Sequence, residues 1–248
     1  MESLECLSNS EPLLPWGKLG VETFIIISGF LITGILLGNR LTAPGFFVLK
    51  QFYLRRMLRI FPLFYAALII LLILKANSIS ETWWWHATYL SNVYFYLHGW
   101  HGQLSHFWSL AVEEQFYLVW PLLIIFLPRR CLLPTILASI VAAPLFELGM
   151  ASVFPEHASS VMASVLMPSC LNALGIGALL AYGARQKFPM PKIAFRLLLA
   201  GMADLTLWGV ANFPAPLEPL KRLAGVCVLG WLVYSAAEGF RGSFGWLL

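Results

Sequence analysis

Long apolar runs separated by short polar segments constrain the fold of this sequence more than any other feature. Crossing the hydrocarbon core of a bilayer takes about 20 mostly apolar residues in a helix. Seven runs approach or reach this length: Gly20–Gly38, Ile60–Leu74, Ser109–Leu127, Leu132–Phe154, Val161–Tyr182, Ile193–Phe213 and Leu223–Ala237. Of the 248 residues, 59% are hydrophobic and 11% are charged, whereas about a quarter are charged in an ordinary soluble domain. The sequence therefore predicts an all-α, polytopic transmembrane helix bundle of about seven spans.

The domain organisation follows from where these runs begin. Residues 1–19 have no basic start and no continuous apolar core, so we expect a short polar tail on the outer side rather than a signal peptide. Residues 20–248 form one predicted membrane domain. The four cysteines (Cys6, Cys131, Cys170 and Cys227) are isolated and match no metal or redox spacing, so no disulfide framework is expected.

The basic residues predict how the bundle is oriented. Alternating the loops leaves most of the Lys and Arg on one side, and only Lys18, Lys75, Lys221 and Arg222 on the other. By the positive-inside rule the first side is cytoplasmic, which places the N-terminus outside and the C-terminus inside. Because the basic residues lie between apolar runs and form no continuous stripe on a soluble domain, we expect no nucleic-acid partner.

The third apolar run carries a set of polar side chains at helical spacing. These residues are His106, Ser109, Glu113 and Tyr117. Glu114 points about 100° away but stays within reach of Tyr117. Ionisable groups are costly inside a bilayer and usually serve a function, and an imidazole, a hydroxyl and a carboxylate on one face can move a proton to or from a reacting hydroxyl. Alternatively, the two glutamates complement the positive N-terminal end of this helix.

Three arginines precede the second run. Arg55, Arg56 and Arg59 share one face, with Phe52, of an amphipathic turn predicted at the cytoplasmic surface. Guanidinium groups bind phosphates bidentately, so this face is a candidate site for a phosphate-bearing substrate. A plain topological anchor is the alternative.

Further polar residues lie in other runs. Glu22 stands near the outer end of the first run and is a candidate for chemistry, whereas Glu147 and Asp204 are interpreted as buried hydrogen-bonding groups. Small residues in the first run are expected to be packing positions: Ser28, Gly29, Thr33 and Gly34. The histidines have no Asp or Cys neighbours at ligand spacing, so no metal site is expected.

Three blocks resemble the acyltransferase-3 family of bacterial membrane O-acyltransferases, the O-antigen and peptidoglycan acetylase type. The first is Gly20 to Thr33, GVETFIIISGFLIT, similar to the family's G-V-D/E-x-F-F-x-x-S-G-F-L-I-T. The second is Phe52 to Pro62, FYLRRMLRIFP, similar to F-x-x-R-R-x-x-R-I-x-P. The third is His106 to Tyr117, HFWSLAVEEQFY, similar to H-x-W-S-L-x-V-E-E-Q-F-Y. The blocks also agree in order and spacing.

The resemblance implies transfer of an acyl group, commonly acetyl, from acyl-CoA to a hydroxyl of an extracytoplasmic carbohydrate such as lipopolysaccharide or peptidoglycan. It implies the bacterial cytoplasmic (inner) membrane, with acyl-CoA as donor substrate and no permanently bound cofactor. On this reading the catalytic candidates are Glu113, Glu114, His106 and Glu22. The substrate-binding candidates are Arg55, Arg56, Arg59, Ser109 and Tyr117.

Two departures from the family pattern keep other functions open. The family begins with an additional helix that carries an arginine and a histidine, and the sequence after Gly239 resembles the lead-in to further closing helices. We therefore expect a domain incomplete at both ends, for which an inactive fragment or a partner subunit is the alternative. A proton-coupled transporter also fits intramembrane carboxylates, although no inverted repeats or paired broken helices are seen.

Overall fold

The computed structural model describes residues 16–74, 79–99, 107–153, 163–186, 188–210 and 218–239. Regular structure in these ranges is entirely helical, which confirms the predicted class. The helices are α1 (Trp16–Asn39), α2 (Gly45–Ile73), α3 (Ile79–Ala87), α4 (Ser91–His98), α5 (Phe107–Phe126), α6 (Arg129–Val153), α7 (Leu171–Arg185), α8 (Met190–Val210) and α9 (Glu218–Ala237). A 3₁₀ turn over Met167–Cys170 leads into α7.

Six segments within the described ranges are long and apolar enough to cross a membrane. They are Leu19–Asn39, Gly45–Ile73, Phe107–Phe126, Arg129–Val153, Met167–Arg185 and Pro219–Ala237. The remaining predicted run, Ile193–Phe213, corresponds to α8, and its last three residues lie outside the described ranges. The helices therefore agree with a bundle of about seven spans.

Three element boundaries differ from the sequence prediction. The amphipathic arginine turn and the second apolar run form one continuous helix, α2, of 29 residues with Pro62 inside it. The run predicted from Val161 begins outside the described ranges, and within them residues 164–166 are not helical and Met167–Cys170 form a 3₁₀ turn before α7 begins at Leu171. Pro168, which lacks a backbone N–H, occupies that 3₁₀ turn. The N-terminal tail predicted to reach residue 19 ends earlier, since α1 begins at Trp16.

Helix α7 is the centre of the bundle and packs against α1, α6 and α9. Gly29 of α1 lies directly on the Leu174 carbonyl, and Gly177 of α7 lies directly on the Ile26 carbonyl. Small residues let two helix backbones approach this closely. The predicted packing role of Gly29 is thereby confirmed, and the close approach of α1 and α7 fixes where the polar side chains of α1 point.

Substituting Gly177 by alanine should destabilise the protein by about 1–3 kcal/mol, since the new methyl group would overlap backbone atoms of Ile26 and Phe30 and the two helices would have to separate. The matched control is Gly149→Ala in α6, where an added Cβ meets nothing within 4 Å. That variant should be neutral or slightly stabilising, because alanine favours helix over glycine. Thermal unfolding in detergent measures both, and equal melting temperatures would contradict the close packing.

Candidate active site

A buried carboxylate between α1 and α5 is the centre of the candidate site. Glu113 is only 2% exposed. Its Oε1 accepts a hydrogen bond from the Ser28 hydroxyl and a second from the Tyr117 hydroxyl at 2.9 Å. The Tyr117 oxygen also lies 3.3 Å from Ser28 Oγ. One carboxylate oxygen is thus held by two hydroxyls from two different helices.

Local helix geometry accounts for half of this arrangement. Glu113 and Tyr117 are four residues apart on α5 and therefore share a face, as their spacing predicted. Ser28 is brought to them by the packing of α1 on α5. Beside it, the Trp120 indole N–H donates to the Thr33 hydroxyl at 2.8 Å, a second buried bond between the same helices. Ser28 and Thr33, interpreted as packing positions, therefore also hold polar contacts across the interface.

An arginine from α2 reaches this cluster. The Arg56 guanidinium carbon lies 3.8 Å from the centre of the Tyr117 ring and 5.6 Å from that of Phe52. A cation over an aromatic face is attracted by the electron density of the ring. Arg56 is therefore in contact with the residue that hydrogen-bonds Glu113, and the basic face of α2 and the carboxylate of α5 are connected through one tyrosine.

The same arginine lines a cavity of about 390 Å³ formed by the end of α1 and the first half of α2. Arg55, Arg56 and Arg59 all contribute to its wall. The other lining residues are Ile35, Leu36, Asn39, Thr42, Ala43, Phe47, Val48, Gln51 and Phe52. A mixed apolar and basic wall of this kind suits a ligand that has both an apolar part and phosphate groups.

Glu114 faces a different direction from Glu113, as the helical rotation predicted. Its Oε1 is buried and has no hydrogen-bond partner among the described residues. The next residue, Gln115, connects α5 to the segment between α3 and α4 and to the first turn of α4, since its side chain donates to the Tyr89 carbonyl and to Asn92 Oδ1, each at 2.9 Å. The carboxylates of Glu113 and Glu114 therefore lie in different surroundings.

Glu22 is not brought to Glu113 but into an ion cluster that the sequence did not predict. Arg222 of α9 donates from Nε to Glu22 at 3.0 Å and from Nη1 to Glu147 of α6 at 2.7 Å. The Arg222 side chain is 8% exposed. Loop alternation had assigned Arg222 to the outer side. The available signal in the sequence was the presence of two glutamates, Glu22 and Glu147, in apolar runs with no predicted cationic partner. The interpretation of Glu147 as an interhelical hydrogen-bonding group is confirmed.

Ser109 and His106 are the two remaining residues predicted for the site. Ser109 lies in the first turn of α5, on the helix that carries both glutamates. His106 lies outside the described residues.

Comparisons with known proteins agree with the helical bundle and its motifs. Residues 6–248 match the family model described as an acyltransferase domain, Acyl_transf_3. The peptidoglycan O-acetyltransferase OatA of Listeria monocytogenes is 36% identical over 129 residues, which are 45% of this chain and 20% of that protein. The O-acetyltransferase OatA of Staphylococcus aureus is 33% identical over 153 residues, 55% of this chain and 25% of that protein.

The matched region is therefore about a fifth to a quarter of the length of these relatives. No solved structure matches the chain. Because the family model covers nearly the whole sequence, the chain belongs to the acyltransferase-3 family.

Proposed function

We propose that this protein is a membrane O-acyltransferase that moves an acetyl group from acetyl-CoA to a hydroxyl of an extracytoplasmic glycan, in the bacterial inner membrane. The observation that carries the proposal is the contact path from the basic cavity to the buried carboxylate. Arg56 lines the cavity and stacks on Tyr117, and Tyr117 donates to Glu113. The names of the two relatives, both O-acetyltransferases, support the same reaction class.

The donor's phosphates would occupy the cavity between α1 and α2. Arg55 donates to Gln51 at 3.0 Å, which keeps its guanidinium at the cavity wall. Guanidinium groups bind phosphate oxygens bidentately, and the apolar lining, Phe47 and Phe52 among it, suits a pantetheine chain. Binding the nucleotide end here would direct the thioester along the contact path toward Glu113.

The reaction would be a direct transfer between two bound substrates. The acceptor hydroxyl oxygen attacks the thioester carbonyl, a C–O bond forms, the C–S bond breaks, and CoA leaves as the thiolate, which takes up a proton. Glu113 would accept the proton of the attacking hydroxyl, a general-base step that is commonly worth about 10²–10⁴ in rate. The hydroxyls of Tyr117 and Ser28 both donate to Oε1 of the Glu113 carboxylate and hold the side chain in place. His106, predicted from its spacing to share a helix face with Glu113, would take part in the same proton transfer.

Arg59 provides the test of the donor site. Arg59→Ala should raise the Kd for acetyl-CoA about tenfold or more, since a charge-assisted phosphate contact is lost. Arg59→Lys should also weaken binding, because an ammonium cannot replace the bidentate fork. Binding is measured by isothermal titration calorimetry on protein in nanodiscs.

Arg130→Ala is the matched control, since Arg130 is exposed at the start of α6 and does not line the cavity. Its Kd should equal that of the unsubstituted protein. An unchanged Kd in a folded Arg59→Ala protein would leave only the anchor role for this arginine.

The activity itself is tested with radiolabelled acetyl-CoA and N-acetylchitotriose, an oligosaccharide that carries the hydroxyls of a glycan acceptor. Protein in nanodiscs should release CoA and label the oligosaccharide in equal amounts. Donor binding with no label transferred to any carbohydrate acceptor would overturn the proposal and favour an inactive relative or a partner subunit.

A further inference from the structure

Two buried polar atoms stand without a hydrogen-bond partner among the described residues, and both lie at the junction of α5 with the segment between α3 and α4. They are the Tyr89 hydroxyl and Glu114 Oε1. Buried polar groups in folded proteins are nearly always hydrogen-bonded, and leaving one unsatisfied is costly. Two such atoms from different elements at one junction indicate that a group other than the described residues completes their hydrogen bonds.

The fold holds Tyr89 firmly at this position. Its φ is +55°, a left-handed conformation that is uncommon for a residue other than glycine. The ring stacks on Phe64 of α2 with centroids 4.7 Å apart, and the backbone carbonyl accepts the Gln115 bond from α5. Tyr89 is therefore fixed relative to both α2 and α5, and its hydroxyl cannot easily turn to another partner.

Gln115 brings Tyr89 and Glu114 to the same junction, since it follows Glu114 on α5 and donates to the Tyr89 carbonyl at 2.9 Å. Burial first, and then the charges of Glu114 and Tyr65, raise the pKa of Tyr89. The phenol consequently keeps its proton and remains a hydrogen-bond donor across the physiological pH range. Glu114 offers the complementary acceptor. Tyr65 is already satisfied, because its hydroxyl donates to the Ala87 carbonyl at 3.0 Å.

A hydroxyl group is the simplest ligand that satisfies both atoms at once, since it accepts one hydrogen bond and donates another. We propose that Tyr89 and Glu114 bind a hydroxyl of the carbohydrate acceptor, with Tyr89 as the donor and Glu114 as the acceptor of its hydrogen bonds. Tyr89 is then a positioning residue for the sugar. This inference rests on the proposed function and adds to it, because it divides the neighbouring glutamates into one for acceptor binding, Glu114, and one for proton transfer, Glu113.

A structural water has the same hydrogen-bonding chemistry, and Tyr89→Phe distinguishes the two. If the site binds an acceptor hydroxyl, the variant should raise the KM for N-acetylchitotriose about tenfold, leave the Kd for acetyl-CoA unchanged, and melt no lower than the unsubstituted protein. If a water occupies the site, the melting temperature should fall and the KM stay the same, which would overturn the inference. Glu114→Gln should likewise raise the KM more than it lowers kcat.

Tyr65→Phe is the matched control from the same aromatic cluster. It removes a hydroxyl that has a protein partner, so it should lower the melting temperature and leave the KM unchanged. Calorimetry of N-acetylchitotriose binding in the absence of acetyl-CoA tests this inference separately from the proposed function. Binding that depends on Tyr89 without any acetyl transfer would overturn the function and keep the site, whereas transfer with an unchanged KM in Tyr89→Phe would overturn the site alone. If neither oligosaccharide binding nor acetyl transfer is detected, both the proposed function and the proposed site are overturned.

Discussion

Replacing Arg222 by alanine should destabilise the protein by about 3–5 kcal/mol, because the substitution leaves two carboxylates buried without their cation. The guanidinium of Arg222 bridges Glu22 of α1 and Glu147 of α6, and it donates to the Ser164 carbonyl at 3.4 Å as well. Losing it should loosen the contact of α9 with both helices. The measurement is unfolding of the purified protein by SDS titration.

The control for this prediction is its neighbour, Lys221, which is exposed. Lys221→Ala should cost about 0–1 kcal/mol, the range for an exposed charge. A combined Arg222→Met, Glu22→Gln and Glu147→Gln variant should recover much of the lost stability, because no buried charge is then left unpaired. An Arg222→Ala protein as stable as Lys221→Ala would show that the cluster is hydrated and carries little of the folding free energy.

The second large effect is expected at Glu113. Glu113→Gln keeps the size of the side chain and an oxygen that accepts the Ser28 and Tyr117 bonds, but it removes the base. If Glu113 takes the acceptor's proton, kcat for acetyl transfer should fall roughly 10²-fold or more, while the KM for the acceptor and the Kd for acetyl-CoA change little. Initial rates with N-acetylchitotriose give the first two quantities and calorimetry the third.

Thermal stability separates chemistry from structure in this experiment. If Glu113 served only to hold α1 on α5, the variant would lose stability and keep its rate when folded. Full transfer by Glu113→Gln, alongside an inactive Glu114→Gln, would reverse the roles of the two glutamates. Full activity in both variants would remove the carboxylates from the mechanism.

The sequence by itself was sufficient for the helical bundle and for relations within one helix. Apolar runs of membrane-spanning length predict helices because a backbone in hydrocarbon must satisfy its hydrogen bonds internally. The contact of Glu113 with Tyr117 and the different direction of Glu114 follow from 3.6 residues per turn. The sequence also predicted the arginine face that lines the cavity, since Arg55, Arg56 and Arg59 repeat at helical spacing.

Contacts between helices were decided only by the tertiary structure. Ser28 reaches Glu113 across 85 positions of the chain, and Arg222 reaches Glu22 across 200. No local pattern encodes such a meeting, because it depends on which faces pack and how closely, here on the glycine contacts between α1 and α7. The positive-inside rule placed Arg222 on the outer side because that rule uses only the positions of charges along the chain. Burial of a guanidinium is tolerated once packing supplies two carboxylates around it.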